Sequence, residues 1–292
     1  MPELPEVETV RRGLAPHLES ARLSEVRLHR ANLRYPFPER FAQRLEGAGV
    51  LRLERRAKYL LAWLDTQDVW VTHLGMTGRF QINDSPDDLA RYYHAVSPDE
   101  KHLHFQCLAT KGEAVARIDF YDPRRFGFML LLTPDALYDS KWFRGLGVEP
   151  LSGDLSADYL LGMAKGRNVN LKALLMAQGD AKGGGIAGLG NIYVCEALYR
   201  ARLSPDHKAS ALTQAQAVAL VDGIKSVLEE AVAAGGSSIS DFAATSGELG
   251  YFQHRFCVYD RKGEPCLRKD GGIIERKVHQ GRSSFFCPVC QL

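Results

Sequence analysis

MPELPEVETVRRGL (residues 1–14) opens the chain, and its reading decides what the following segments must pack against. Val7, Val10, Leu14 and Leu18 recur at helical spacing, which predicts one apolar stripe along a helix. Pro5 falls in the first turn, where a missing N–H costs nothing, and Glu8 stands four residues before Arg12, an arrangement that supports a helix. From Ala21 to Leu132 the pattern changes to short β-type runs: LSEVRLHR (23–30), YLLAWLD (59–65), VWVTHL (69–74), HLHFQCL (102–108), AVARIDFYD (114–122) and FGFMLLL (126–132). Turn-rich pieces such as NDSPDD (83–88) separate them. This texture predicts an antiparallel sandwich or barrel with the first helix against it.

After LGVEPLSGD (146–154) the periodicity becomes helical again. Leu160, Leu161, Met163 and Ala164 mark one helix, and Leu171, Leu174 and Leu175 a second. Ile192, Cys195, Leu198 and Tyr199 mark a third, and Val221, Ile224, Val227, Leu228 and Ala231 a long fourth. A polar Gly/Ser-containing stretch, AAGGSSISDFAATSGELGYF (233–252), leads to a tail that reads as a cysteine-bearing β-hairpin. The expected fold is therefore α+β and multidomain. A β-sandwich domain spans 1–132, a linker 133–155, a helical domain 156–250, and a hairpin finger 251–292.

A chain of 292 residues favours two domains over one, and 45% hydrophobic with 25% charged residues is the composition of a folded globular protein. No run approaches the roughly 18 apolar residues of a membrane span. The first residues carry acids where a signal peptide carries bases, so the expected location is the cytoplasm. A net charge of +2 permits a nucleic-acid partner without requiring one. Six cysteines in a cytosolic chain do not suggest a disulfide framework. Cys107 and Cys195 stand alone in apolar settings as core residues, whereas Cys257, Cys266, Cys287 and Cys290 crowd the end of the chain and point to a metal.

The terminus has a chemical reading of its own. Met before Pro is a context in which the initiator is removed, leaving Pro2 as a free secondary amine. An α-amino group has a pKa near ~8, so part of it is unprotonated at neutral pH. Its attack on an aldehyde carbon gives a cationic iminium, an electron sink that lets a neighbouring bond break by elimination. Glu3 beside it could protonate a departing or ring-opening oxygen. The alternative is that Pro2 and Pro5 only steer the chain into the helix while Glu3 and Glu6 favour its dipole. These residues alone leave both open.

MPELPEVETVRRGL, RRAKYLL (55–61), HLGMTGRF (73–80), YDPRRFG (121–127), LGVEPL (146–151), AGLGNIY (187–193) and GYFQHRFCVYDRKGEPC (250–266), in that order, resemble the bacterial formamidopyrimidine-DNA glycosylases of the Fpg/Nei family. The resemblance runs over essentially the whole chain. It implies a bifunctional enzyme of base excision repair that removes oxidised purines, chiefly 8-oxoguanine and formamidopyrimidines. Strand cleavage by β- and δ-elimination follows. It implies a monomer acting on double-stranded DNA that holds oxidised purines or abasic sites, without a membrane. It also implies that Pro2 is the Schiff-base nucleophile, Glu3 the proton donor and Lys58 the residue of β-elimination. Met76, Arg124 and Phe126 would fill the gap left by the everted base, since an apolar wedge with a ring replaces lost stacking. His102, Arg167 and Asn191 would contact DNA, Asn191 from an N-cap position before the third helix. Leu103 departs from the family, which usually has Asp there, and MAQGDAKGGGIAGLG (176–190) is longer than the usual turn. The stretch 237–251 resembles the loop that closes over the lesion.

In the finger the family pattern is two C-x2-C pairs separated by sixteen residues, a tetrahedral zinc signature. Cys266, Cys287 and Cys290 are in place, but Lys269 occupies the position of the second cysteine. Asp270 keeps the spacing to the second pair, so it is the expected fourth zinc ligand, with Cys257 and His279 as rivals. Arg282 matches the finger arginine that assists δ-elimination. From Phe256 to Leu292 seven bases, Arg261 through Arg282, oppose four acids, which fits a phosphate-facing module. Leu4 and DPRRFG favour the purine branch. A Nei-like enzyme for oxidised pyrimidines and a damage-binding protein without catalysis are the alternatives.

Overall fold

The computed structural model describes residues 2–83, 100–179, 184–237 and 250–292. They fall into two compact units, one of residues 1–140 with 235–250 and the other of 141–234 with 251–292. Each is taken by itself.

The first unit begins with helix α1 (Leu4–Leu18). Glu3 is its N-cap residue, and Glu6, in the first turn, reaches back to accept the Glu3 N–H at 2.8 Å. That bond satisfies one of the donors a helix start leaves open. The predicted stripe is real: Val7, Val10, Leu14 and Leu18 are all buried. Two four-stranded antiparallel sheets follow. One runs β1 (Arg22–Leu28), β6 (Leu103–Lys111), β7 (Ala114–Tyr121), β5 (Arg79–Asn83). The other runs β2 (Val50–Arg56), β3 (Tyr59–Leu64), β4 (Val69–His73), β8 (Phe128–Leu132). Their inner faces and α1 share one core, in which Val10 and Leu14 meet Leu23, Trp70, Phe105, Phe120 and Met129. Short helix α2 (Phe41–Leu45) adds Phe41 to it.

The six runs expected as strands are six of these eight. β2 and β5 lie outside those runs. RLERR carries four charges in five residues, Arg52 and Glu54 of them exposed, so that sequence lacks the apolar density of its neighbours although Leu53 points inward.

The second unit holds α4 (Ala157–Ala164), α5 (Leu171–Leu175), α6 (Asn191–Arg200) and α7 (Gln214–Ala233), with a hairpin of β9 (Glu275–His279) and β10 (Arg282–Phe286). Ser156, Asn170 and Thr213 cap α4, α5 and α7 through their side-chain oxygens, each replacing a lost backbone partner. All four predicted helices are present. α6 is buried along most of its length, and it joins the hairpin in a second core of Cys195, Tyr199, Val258, Ile274 and Phe285. Glu196 on α6 is fully buried and accepts three successive backbone N–H groups, from Cys257, Val258 and Tyr259, at 2.8–2.9 Å.

Three boundaries differ from the sequence division. Residues 133–155 are not a plain linker: they contain α3 (Pro134–Asp139), and Gly147 and Val148 donate to Gln178 and Gly185 carbonyls. A Cβ on Gly147 would overlap the Gly185 backbone, so that close approach needs glycine. The finger groups with the helices, and 235–250 groups with the sandwich. Most of the loop expected to cap the lesion, 238–249, lies outside the described residues, as do 180–183 of the glycine-rich turn.

Phe105 is fully buried, with the Trp70 ring 5.0 Å and the Phe41 ring 6.2 Å from its own. Phe105→Ala is expected to lower the unfolding free energy by about 3–5 kcal/mol. Urea unfolding of the two proteins checks it, and a loss below ~1 kcal/mol would place this ring outside the core.

Candidate functional site

Pro2 and Glu3 are buried at the start of α1, Glu3 at 4% exposure. Glu6, at 2%, spends its second oxygen elsewhere: Oε1 accepts both the N–H and the hydroxyl of Ser237, at 2.8 and 3.0 Å. One carboxylate thus ties the first turn of α1 to the segment where the 237–251 loop begins. Gly236 allows it, since it adopts φ +78° and lies against the Glu6 side chain.

Lys58 is the second residue of the β2–β3 turn, where Ala57 takes a left-handed conformation (φ +53°), and it is 9% exposed. Its charge is felt by His73 at the end of β4. Burial first, then Lys58 and Arg34, hold the His73 imidazole down at about 4, so the ring is neutral at pH 7. A neutral ring can accept, and His73 Nδ1 takes the Gly75 N–H at 3.0 Å. The ring also stacks on Phe128, at 5.1 Å and 12°.

That bond starts the turn that presents Met76. A second turn, residues 122–127, presents Arg124 and Phe126, and a buried carboxylate welds the two. Asp122 is fully buried. Its Oδ1 accepts the Thr77 hydroxyl at 2.5 Å and its Oδ2 the Gly127 N–H at 2.7 Å. Thr77 Oγ1 in turn accepts the Arg124 N–H at 3.1 Å. A Cβ on Gly75, which has φ +67°, would overlap the Phe126 backbone, so the two turns touch main chain to main chain. The turns that carry Met76, Arg124 and Phe126 are therefore brought together. The Arg124 guanidinium lies 4.9 Å from the centre of the Phe126 ring, and that ring is 42% exposed. The two border an open depression of about 490 Å³ with Leu33, Arg34 and Arg125. His102 ends a 3-10 turn (Glu100–His102), and its carbonyl accepts the Asp122 N–H.

The second unit holds the other expected residues. Arg167 is exposed in the turn after α4, where Gly166 has φ +71°. Asn191 is not the N-cap of α6: Gly190 is, and Asn191 is the first helical residue. Its amide is committed elsewhere, donating to the Ser283 carbonyl of β10 at 2.9 Å. Arg282 is exposed at the start of β10, after a tight turn in which Gln280 and Gly281 have φ +51° and +73°.

In the finger, ligand atoms of Cys266, Asp270, Cys287 and Cys290 all lie within 4.8 Å of one another. A tetrahedral zinc site with bonds of about 2.3 Å to sulfur and 2.0 Å to oxygen has edges of roughly 3.8 Å between sulfurs and 3.5 Å from sulfur to oxygen. Here Cys266 Sγ and Cys290 Sγ are 3.9 Å apart. Asp270 Oδ2 is 3.3 Å from Cys266 Sγ and 3.6 Å from Cys287 Sγ. The donors present fit a metal ion of zinc size. The extra residue before Asp270 is taken up by Lys269 in a left-handed conformation (φ +57°). Neither rival belongs to the cluster. Cys257 Sγ faces the Arg255 carbonyl at 3.8 Å, and both His279 nitrogens are engaged, by Ser284 and Asp206, at 2.8 Å.

Sequence reasoning missed Asp122, Thr77, His73 and Glu196. Each has one partner far away in sequence, the Thr77 hydroxyl for Asp122, the Arg124 N–H for Thr77, the Phe128 ring for His73 and the 257–259 N–H groups for Glu196, and no spacing rule reports such pairs.

Comparison with known proteins adds an independent result. The family model described as the formamidopyrimidine-DNA glycosylase N-terminal domain matches residues 1–129, and that of the H2TH domain of the same glycosylase matches residues 146–243. Formamidopyrimidine-DNA glycosylases of a Caulobacter species and of Phenylobacterium zucineum are each 52% identical, with both chains covered in full. Among solved structures, the MutM (Fpg) protein of Thermus thermophilus is 37% identical, with a TM-score of 0.81 over 99% of this chain and 98% of that one. The Lactococcus lactis Fpg in complex with DNA containing an abasic site is 28% identical, with a TM-score of 0.83 and full coverage of both chains.

The depressed His73 predicts an acid sensitivity. An unfolded histidine titrates near ~6.5, whereas the folded ring titrates at about 4. Between those values the unfolded state binds more protons, so stability falls as the pH drops through that window. The full share is about 3 kcal/mol. Urea unfolding at pH 7 and pH 4.5 is expected to show it, and His73→Phe to remove it. An unchanged pH slope in that variant rejects the assignment.

Proposed function

The chain belongs to the formamidopyrimidine-DNA glycosylase family, and from that premise we propose how its own residues carry out the reaction. It is a DNA glycosylase of base excision repair for oxidised purines, 8-oxoguanine and formamidopyrimidines, and a lyase at the abasic site it creates. Once Met1 is removed, the Pro2 nitrogen forms a bond to the sugar C1′ as the bond to the damaged base breaks. Glu3 gives a proton to the ring oxygen as the sugar opens, leaving an iminium on C1′. Loss of a C2′ proton then feeds electrons into the iminium and expels the 3′ phosphate. A second elimination expels the 5′ phosphate, and water releases the sugar remnant and restores the amine.

Lys58, held near the neutral His73, acts in the first elimination and pairs with phosphate. Met76, Arg124 and Phe126 enter the stack in place of the everted base, where the exposed Arg124 and Phe126, the half-buried Met76 and the shared anchor of their turns at Asp122 suit them to act as one wedge. His102, Arg167 and the backbone N–H groups at Asn191 hold phosphates. Arg282 approaches the DNA from the finger and assists the second elimination. The stretch 237–251 closes over the base.

Cys266, Asp270, Cys287 and Cys290 would hold one structural Zn2+, which supplies a cross-link within the finger and no step of the reaction. Among the described residues no helix is long and apolar enough to cross a membrane. The proposed working form is a monomer acting in the cytoplasm on nucleoid DNA.

The observation that carries this reading is the burial of Pro2 and Glu3 at the head of α1, in a chain that matches its relatives end to end. Pro2→Gly is expected to bind an abasic duplex and give no borohydride cross-link. Glu3→Gln should lose roughly 10²–10⁴ in 8-oxoguanine excision while still trapping on a preformed abasic site. Full cross-linking by Pro2→Gly, or faster excision of thymine glycol than of 8-oxoguanine, would overturn the nucleophile or the substrate class. For the finger, Asp270→Ala should weaken zinc binding by more than the 10–100-fold of an outer-shell change. Cys257→Ser should leave it unaltered. Chelator competition measures both, and the reverse ranking would reassign the fourth ligand.

A further inference from the structure

His279, rejected as a zinc ligand, is fixed on both sides. Its Nδ1 meets the hydroxyl of Ser284, a residue with no exposed surface, and its Nε2 meets Asp206 Oδ1, both at 2.8 Å. The other Asp206 oxygen accepts the Lys277 ammonium at 2.8 Å. Lys277 and His279 are two apart on β9 and so share a face, which lets one carboxylate grip both. The Lys277 bond, and after it the His279 bond, hold the Asp206 carboxyl below the usual range against the opposing effect of burial.

Asp206 itself sits on a firm base. The chain around it accepts the Leu171 N–H at His207 and the Lys172 N–H at Pro205, and Ser204 donates to Leu292. The hairpin needs such a base. Its strands have five residues each and four of the five in β9 are exposed, and an isolated two-stranded ribbon is marginal in water.

The register then carries the grip to Arg282. His279 and Arg282 are the last pair of the ladder, joined by the left-handed Gln280–Gly281 turn. Such two-residue turns fix one strand end against the other. On the far side of Arg282, the Ser283 carbonyl is held by Asn191. We propose that Asp206 and His279 are positioning residues that, together with Lys277, set the placement of Arg282 for the second elimination. The inference rests on the role given to Arg282 above.

The test follows 8-oxoguanine duplex cleavage by full-length protein, scoring the products of the first and second eliminations separately, with zinc content measured alongside. Asp206→Ala and His279→Ala are each expected to slow the second elimination roughly tenfold. The borohydride-trapped fraction and zinc content should stay unchanged. In an Arg282→Ala background neither should cause a further loss, because the placed group is gone. His279→Gln, whose amide can still donate to Asp206, should restore most of the rate. A merely structural clasp would move stability and not the product ratio, so an unaltered ratio overturns the inference. Equal losses with and without Arg282 also overturn it. A silent Arg282→Ala overturns the role of that arginine instead, and the inference falls with it.

Discussion

A carboxylate taken out of water must be surrounded by donors, and this one constraint organises both units of the protein. Glu6, Asp122 and Glu196 are at most 2% exposed. Each sits on or beside a regular element and collects its donors from an irregular segment. Glu6 takes two from Ser237, Asp122 takes the Thr77 hydroxyl and the Gly127 N–H, and Glu196 takes three N–H groups in a row. Removing such an acid strands several buried donors at once, each at a cost of about 1–3 kcal/mol.

That division of labour explains how exposed, chemically useful side chains can be held still. Phe126 and Arg124 gain little by lying at the surface, yet their main chain is fixed from beneath by Asp122 and Thr77. The neutral His73 extends the same scaffold to the Met76 turn by accepting the Gly75 N–H. Protonation would remove that acceptor and place a second charge near Lys58.

The finger shows a different kind of tolerance. Replacing a thiolate by a carboxylate changes both reach and chemistry, and the chain adjusts with one more residue and a left-handed Lys269. Asp270 is oriented by the Gly272 N–H at 2.8 Å, which settles its carboxyl toward the three sulfurs and holds its pKa below the ordinary value. An oxygen donor is harder than sulfur, so the cluster keeps a tetrahedral spacing with a less uniform set of donors.

Local pattern was enough for much of this. The stripe of α1, six strands, four helices and the hairpin could all be read, because burial of one face imposes a period on the residues themselves. The pairing of Asp270 with Cys287 could be read from spacing, since a hairpin converts chain separation into proximity. The resemblance to a known family brought Pro2, Glu3, Lys58 and the wedge residues into view. β2 escaped because its charges outnumber its apolar residues, and β5 because RFQIN offers only Phe80 and Ile82 as an apolar signal. Asn191 was misplaced by one residue because its amide answers to Ser283 and not to its own helix. The sequence by itself determined which residues are apolar, periodic and chemically competent. Only the tertiary structure decided which buried acid satisfies which distant N–H, since that choice depends on chain segments meeting in space, and no local period encodes it.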